Sequence, residues 1–370
     1  MIGRWALKGI VDARARFLGS TLAVGTAMLV VITFRAVWEG ETEQLAAYLE
    51  HAGADVWVMQ AHVSNMHMAS SFLSDGKRVE IERVAGVDSV AGILYLNTMV
   101  QAGNRQWFSY VVGLDEPDQI GGPWSILRGS AELGPSEAII PATLSDITDT
   151  GIGDLIEVGD RSLRVVGLSG GTFSVTNPIT FVRADDLGDI LSLAGYDSYV
   201  LVRAAPGVEP GALAARIEEE VDGVAALTTP EIVASDIQLA SQMGTEVIAL
   251  MTGICATLAM LLVAFALYIH TASHRRGLAV LRALGFEHRH VYLSVLLQSG
   301  ILTGTAFTLA VLGAGLLAVV GPKLAPVLSL QLSVSALLEI GAAAFAVAVI
   351  ATLTVARQVA RVEPVSVFNP

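Results

Sequence analysis

The chain has 370 residues, of which 53% are hydrophobic and only 15% charged, and its mean hydropathy is +0.61. A soluble domain carries about 25% charged residues, so this composition excludes an ordinary soluble enzyme, a disordered chain and a collagen-like repeat, and implies lipid around part of the chain. The net charge of −13 argues against nucleic acid as a partner, and the single cysteine, Cys255, excludes an intramolecular disulfide or a multi-cysteine zinc site.

In chain order, residues 1–17 form a basic segment with Arg4, Lys8, Arg14 and Arg16 against Asp12. The apolar run 18–37 predicts a first transmembrane helix, since a span needs about 20 residues. It exceeds the ~7–15 residues of a signal-peptide core, and bulky Phe34 and Trp38 stand where a peptidase needs small side chains. It therefore reads as an uncleaved anchor. Residues 38–246 have ordinary mixed composition. A second span is predicted at 247–269, a third at 291–320 and a fourth at 334–355, with Glu339 near the start of the last. The loop 270–290 holds Arg275, Arg276, Arg282 and Arg289 against Glu287, the turn 321–333 holds only Lys323, and the tail 356–370 adds Arg357 and Arg361. The positive-inside rule then places both termini and the 270–290 loop in the cytoplasm of a multi-pass cell (plasma or inner) membrane protein. Residues 38–246 fall outside, with 31 acids and 10 Lys/Arg, so the acidity belongs to that domain.

The outer domain reads as mixed α and β. Strands are predicted at 56–59, 97–100, 107–112, 137–140, 156–158, 163–168, 179–182 and 199–202, with turns at Gly103-Asn104 and Gly159-Asp160. Helices are predicted at 77–84, 185–193 and 211–221, where Asp185-Asp186 suits a helix N-terminus. The fold class is thus an α-helical membrane protein with four transmembrane helices and an α+β extracytoplasmic domain inserted between helices 1 and 2. Nothing but Gly40 interrupts helical character from Leu18 to His51, which would reach roughly 50 Å against a hydrocarbon layer of about 30 Å. A second helix from about Glu231 into the second span would also overshoot the membrane. Two such rods form a stalk able to carry motion across a bilayer.

The sequence has no G-x-x-x-x-G-K-[ST], H-E-x-x-H or C-x-x-C pattern. The 270–290 loop does stand out. Leu278, Leu281 and Leu284 recur at i, i+3 and i+6 on one helical face, and Gly285 is placed to stop that helix. A short amphipathic helix of this kind lies on lipid headgroups or docks in a partner's groove.

The segment Leu278, Val280, Leu281, Arg282, Ala283, Leu284 and Gly285 resembles the coupling loop of FtsX-like, MacB-type ABC transporter permeases. Gly277 stands where that family usually has glutamate, and Ala279 where it often has glycine. The order of one span, a large outer domain and three spans is also similar to the family. So are Val84 to Val90, Val158-Gly159-Asp160 with Leu163 to Leu168, and Arg361-Val362-Glu363-Pro364-Val365. The shortness and Asp55 to Gln60 resemble the DevC-like branch. The resemblance implies a non-catalytic permease subunit that works as a homodimer in membrane lipid, with ATP and Mg bound by separate ABC ATPase subunits and no cofactor on this chain. It implies ATPase coupling through Leu278, Leu281, Arg282, Leu284 and Gly285, and mechanotransmission that extrudes a hydrophobic or amphipathic cargo. A rival reading, also by resemblance, is an ATP-driven regulator of an extracytoplasmic cell-wall hydrolase or adaptor.

Candidate cargo-access residues are Met28, Phe34 and Trp38 on span one, with Met59, Met66, His67 and Met68 above them. Thioether and imidazole groups suit haem, a sharper version of the cargo; their other reading is an adaptable apolar surface. No resident metal is expected. Gly300-Ile301-Leu302-Thr303-Gly304 is a candidate helix-contact motif.

Overall fold

The computed structural model describes residues 14–67, 69–115, 120–174, 178–240, 246–273, 288–325 and 329–360. They divide into a helical unit (Met1–Gly40, Glu246–Leu324, Ser329–Pro370) and an α+β unit (Glu41–Thr245, Ala325–Leu328). Helix α1, Arg14–His51, belongs to both. Gly40 does not break it: a Cβ there would come within 2.6 Å of Ser329 O, so close approach of another backbone explains the glycine.

The α+β unit is built on a ten-stranded sheet. Its strands are β1 (Val56–Gln60), β3 (Val87–Ala102), β4 (Arg105–Leu114), β5 (Ile126–Gly129), β6 (Glu137–Pro141), β7 (Leu155–Val158), β8 (Arg161–Ser169), β9 (Ile179–Arg183), β11 (Tyr199–Ala204) and β12 (Val224–Thr228). The order is β12-β1-β11-β3-β4-β9-β6-β8-β5, with β7 paired to β3 and β8. Pairing is antiparallel except at β4–β9 and β6–β8. Both predicted turns close two-residue hairpins, Ala102 opposite Arg105 and Val158 opposite Arg161. Gly103 and Gly159 supply the positive φ that such turns require.

Alternation along the central strands sends side chains to two cores, because both faces of the sheet are covered. Val56, Val58, Val200 and Val202 face a core with Ile81 of helix α2 (Asp75–Glu82) and Leu213 and Ile217 of helix α5 (Pro210–Glu220). Trp57, Met59, Tyr199 and Leu201 face the other, with Tyr48 and Leu49 of α1 and Ile232 of helix α6 (Thr229–Ala240). A third core, with Val111, Ile140, Ile156, Leu163 and Val182, lies under helix α4 (Ala184–Leu191). Helix α5 starts where expected because Pro210 sets the first turn and Glu209 accepts from Gly211 N and Ala212 N.

The predicted strands are all present, the 97–100 strand as part of the 16-residue β3. Not predicted were β5, β12, the short pair β2 (Leu73–Ser74) and β10 (Tyr196–Asp197), and helix α3 (Ala142–Thr148). Helix α6 is observed, and helix α7 (Glu246–Ser273) contains the second predicted span; residues 241–245 between them lie outside the described residues.

In the helical unit, α1, α7, α8 (His288–Leu324) and α9 (Val334–Ala360) share an apolar core. The buried stripe Val24, Met28, Ile32, Ala36 repeats at i+4 along α1. Small residues let the helices approach: a Cβ on Gly25 would lie 3.2 Å from Ala306 O, and Ala306, Ala310 and Ala314 form the facing row of α8. In the Gly300–Gly304 motif, no described residue lies within 4 Å of a Cβ at Gly300, and a Cβ at Gly304 would lie 3.8 Å from Phe345 of α9. A buried bond from Thr352 Oγ1 to Ser299 Oγ, 2.8 Å, ties α9 to α8. Among the described residues, three stretches are long and apolar enough to cross a membrane: 17–51, 292–324 and 334–354. In α7 the apolar stretch is the shorter Leu250–Ala266, so length and composition alone give three spans rather than the expected four.

One buried acid makes a pH-dependent prediction. Asp197 occupies the space that a Cβ on Gly92 would need, and its Oδ2 lies 3.6 Å from Arg78 Nε. Burial pushes its carboxyl up to about 6, against the opposing pull of Arg78. The folded state therefore binds this proton more tightly than the unfolded chain, so the contribution falls as pH rises from about 4 to 6 and is flat above. Melting the parent and Asp197→Asn between pH 4 and 7.5 should show a stability difference that shifts in favour of Asn as pH rises. A difference independent of pH would show that Asp197 does not titrate in this window.

Candidate functional site

The coupling residues Leu278, Leu281, Arg282, Leu284 and Gly285 lie outside the described residues. What is described is their frame: α7 ends at Ser273 and α8 begins at His288, so the segment joins two helices of the helical unit.

The candidate access residues do not form one surface. Met28 is buried in the helix core with Val263 and Leu302. Phe34 and Trp38 are half-buried and lie off the i+4 stripe that holds Met28, so they point to another side of α1. Met59 is 0% exposed in the middle of β1, and Met66 is buried in the same core. Met68 lies outside the described residues. The expected methionine surface is thus corrected: the thioethers at 59 and 66 fill a protein interior.

His67 belongs to a buried polar cluster. Its Nδ1 lies 2.8 Å from Asp236 Oδ2, and Met66 N donates to Asp236 Oδ1 at 2.9 Å. Asn97 Nδ2 donates to His67 O, and the His67 ring meets Tyr110 edge-on at 5.1 Å. Tyr110 continues to Tyr95, and Tyr199 OH donates to Asn65 O and Ala69 O. Burial pushes the Tyr110 phenol up to about 12 and raises Tyr95 and Tyr199 as well. The cavity beside His67, lined also by Leu45, Tyr48 and Tyr110, holds about 10 Å³. That is room for about one water at most. This cavity is too small for a haem, and Met59 and Met66 are core residues. The cluster instead fastens the 61–72 segment to α6. Asp236 was missed in the sequence; its signal was a lone acid inside the apolar stretch Ile232 to Ala240.

Residues 17–220 match the MacB-like periplasmic core domain family, and residues 249–364 match the FtsX-like permease C-terminal family. The chain belongs to the MacB/FtsX family of ABC transporter permeases. Similar proteins include two uncharacterized ABC transporter permeases of Mycobacterium tuberculosis (strain H37Rv). One is 20% identical over 365 residues and the other 21% over 368, each alignment covering 98% of both chains. Among solved structures, the periplasmic region of MacB from Actinobacillus actinomycetemcomitans aligns at 11% identity and a TM-score of 0.38, covering 50% of this chain and 94% of that one. The extracellular domain of the noncanonic ABC-type transporter YknZ from Gram-positive bacteria aligns at 11% and 0.37, covering 47% and 99%. The resemblance read from the loop, the topology and the outer-domain motifs is therefore the family of this chain, and a MacB/FtsX permease is a membrane protein that implies an ABC ATPase partner.

Proposed function

We propose that this permease subunit transmits force from a separate ATPase to extrude an amphipathic or hydrophobic cargo. The observation that carries the reading is α1, a 38-residue helix without an internal break that contributes to both units. A helix is stiff along its axis, so a push at its membrane end is carried into the sheet that packs on Tyr48 and Leu49. In this reading α7 is a fourth span, both termini and the 270–290 loop are cytoplasmic, and the α+β unit is outside. The helix carrying Leu278, Leu281 and Leu284 seats in a groove of the ATPase, with Arg282 beside it and Gly285 ending it. Two copies work together, and each ATPase supplies the ATP and Mg site.

The test is turnover. Purified chain in detergent should hydrolyse no ATP, and adding the ATPase encoded to work with it should give activity that rises when the two are reconstituted in lipid. Hydrolysis by the chain after every co-purifying ATPase has been removed would overturn the reading.

A further inference from the structure

Among its described residues the helical unit buries six polar ones: Thr21 of α1, Ser294, Gln298, Ser299 and Thr303 of α8, and Thr352 of α9. All six fall in one layer. Ser294 to Thr303 covers about 14 Å of α8, in the half of that helix nearest His288. The bond from Thr352 Oγ1 to Ser299 Oγ sets Thr352 at this level. Gly25 meets Ala306 and Leu29 meets Gly313, so α1 and α8 run the same way, and Thr21, one turn before Gly25, stands level with Leu302 and Thr303. Beyond the layer the buried rows are apolar, with Val24, Met28 and Ile32 on α1 and Ala306, Ala310 and Ala314 on α8. The hydroxyl groups of the unit behave in two ways. On exposed faces Thr257, Thr305, Thr308 and Thr354 each donate to the carbonyl four residues back in their own helix. In the layer Thr21 Oγ1, Ser294 Oγ and Thr303 Oγ1 are fully buried and have no hydrogen-bond partner among the described residues. A hydroxyl group withdrawn from water is costly unless it is paired.

We propose that this layer binds internal water, which bridges Thr21 of α1 to the hydroxyl groups of α8. None of the six residues is ionisable, so the partner carries no charge. It is small, because serine and threonine side chains pack on one another here, and it both donates and accepts, as each hydroxyl group does. Water meets all three conditions, and one molecule makes about two to four such bonds. Ser294 and Thr303 are about 14 Å apart along α8, so the layer holds more than one molecule. The bundle then joins α1 to α8 in two ways, through water in this layer and by direct contact where Gly25 meets Ala306.

The experiment exposes the full chain, in dodecyl maltoside micelles made up in heavy-oxygen water, to a short X-ray pulse. Hydroxyl radicals then form wherever water sits and mark the side chains beside it with heavy oxygen, which mass spectrometry locates. Leu302, 0% exposed and adjacent to Thr303, should carry the label, whereas Ile32, 1% exposed in the apolar part of the bundle, should carry none. Thr21→Val combined with Thr303→Val, which keeps the volume and removes both hydroxyl groups, should lose the label at Leu302 and keep it at Met99, which is half exposed on β3. No label at Leu302 in the parent, equal labelling of Ile32, or undiminished label at Leu302 in the double variant would each overturn the proposal. If the parent carries no label at Leu302 and Thr303→Val melts above the parent, the hydroxyl groups are buried dry and the proposal fails. Should the double variant aggregate on gel filtration, Thr303→Val alone decides by the same loss of label. No ATPase is present in this measurement, so a negative result leaves the force-transmission reading standing, and a silent ATPase assay leaves the water site standing.

Discussion

Replacing Leu281 and Leu284 together with alanine should release the ATPase from the permease. Both leucines lie on the apolar face of the predicted loop helix, three residues apart, where a groove on a partner would bury them. Truncating a buried leucine costs about 2–5 kcal/mol. Even the lower figure, taken twice, is about 4 kcal/mol, or roughly a thousandfold in dissociation constant. The double variant should therefore lose its ATPase during affinity purification and show no stimulated turnover, while eluting as a folded membrane protein. Leu293→Ala is the control: it removes the same side chain from an exposed position on α8 and should leave coupling intact. Normal ATPase retention by the double variant would move the coupling contact elsewhere in the chain.

The β-rich half of the fold was legible where alternation and turn chemistry agreed. Gly103-Asn104 and Gly159-Asp160 fixed two hairpins, and the runs 56–59 and 199–202 carried enough β-branched and aromatic residues to read as strands on their own. Strand β12 was not legible, because Val224-Ala225-Ala226-Leu227-Thr228 has no alternation and acquires its conformation from pairing with β1. The short β2–β10 pair is likewise made by tertiary contact, two residues on each side. Length told more than pattern in the helical unit: of the four spans read, three are long and apolar enough among the described residues, but hydropathy could not show which glycine makes a contact. Gly300–Gly304 had the motif, whereas Gly25 has the close neighbour, because contact depends on what faces a residue and not on its own spacing. The same limit explains the methionines. Met59 and Met66 looked like a soft surface beside His67, and burial in the sheet core is a property of the partners that cover them.

Asp236→Ala should destabilise the α+β unit more than any other single change in the His67 cluster. Asp236 is 1% exposed and accepts from Met66 N while its second oxygen faces His67 Nδ1. Removing it takes the acceptor from the buried Met66 N–H and the carboxylate from the side chain of His67, which is 11% exposed. Breaking a buried pair from one side costs about 3–5 kcal/mol, and for a unit of this size each kcal/mol moves the melting point by about 2–4 °C. A fall on the order of 10 °C is therefore expected in the transition followed by tryptophan fluorescence, to which Trp57 in the same core reports. His67→Ala should cost less, because Asp236 keeps its bond to Met66 N, and Asp236→Asn should fall between, since its carbonyl still accepts one of the two bonds. The chain from 61 to 72 should also become cleavable by protease in the alanine variant, because Asp236 is what holds it to α6. If Asp236→Ala melts within a degree of the parent, the pair does not fasten this segment. If it melts early while ATPase stimulation is unchanged, the fastening is structural and force reaches the sheet through α1 alone.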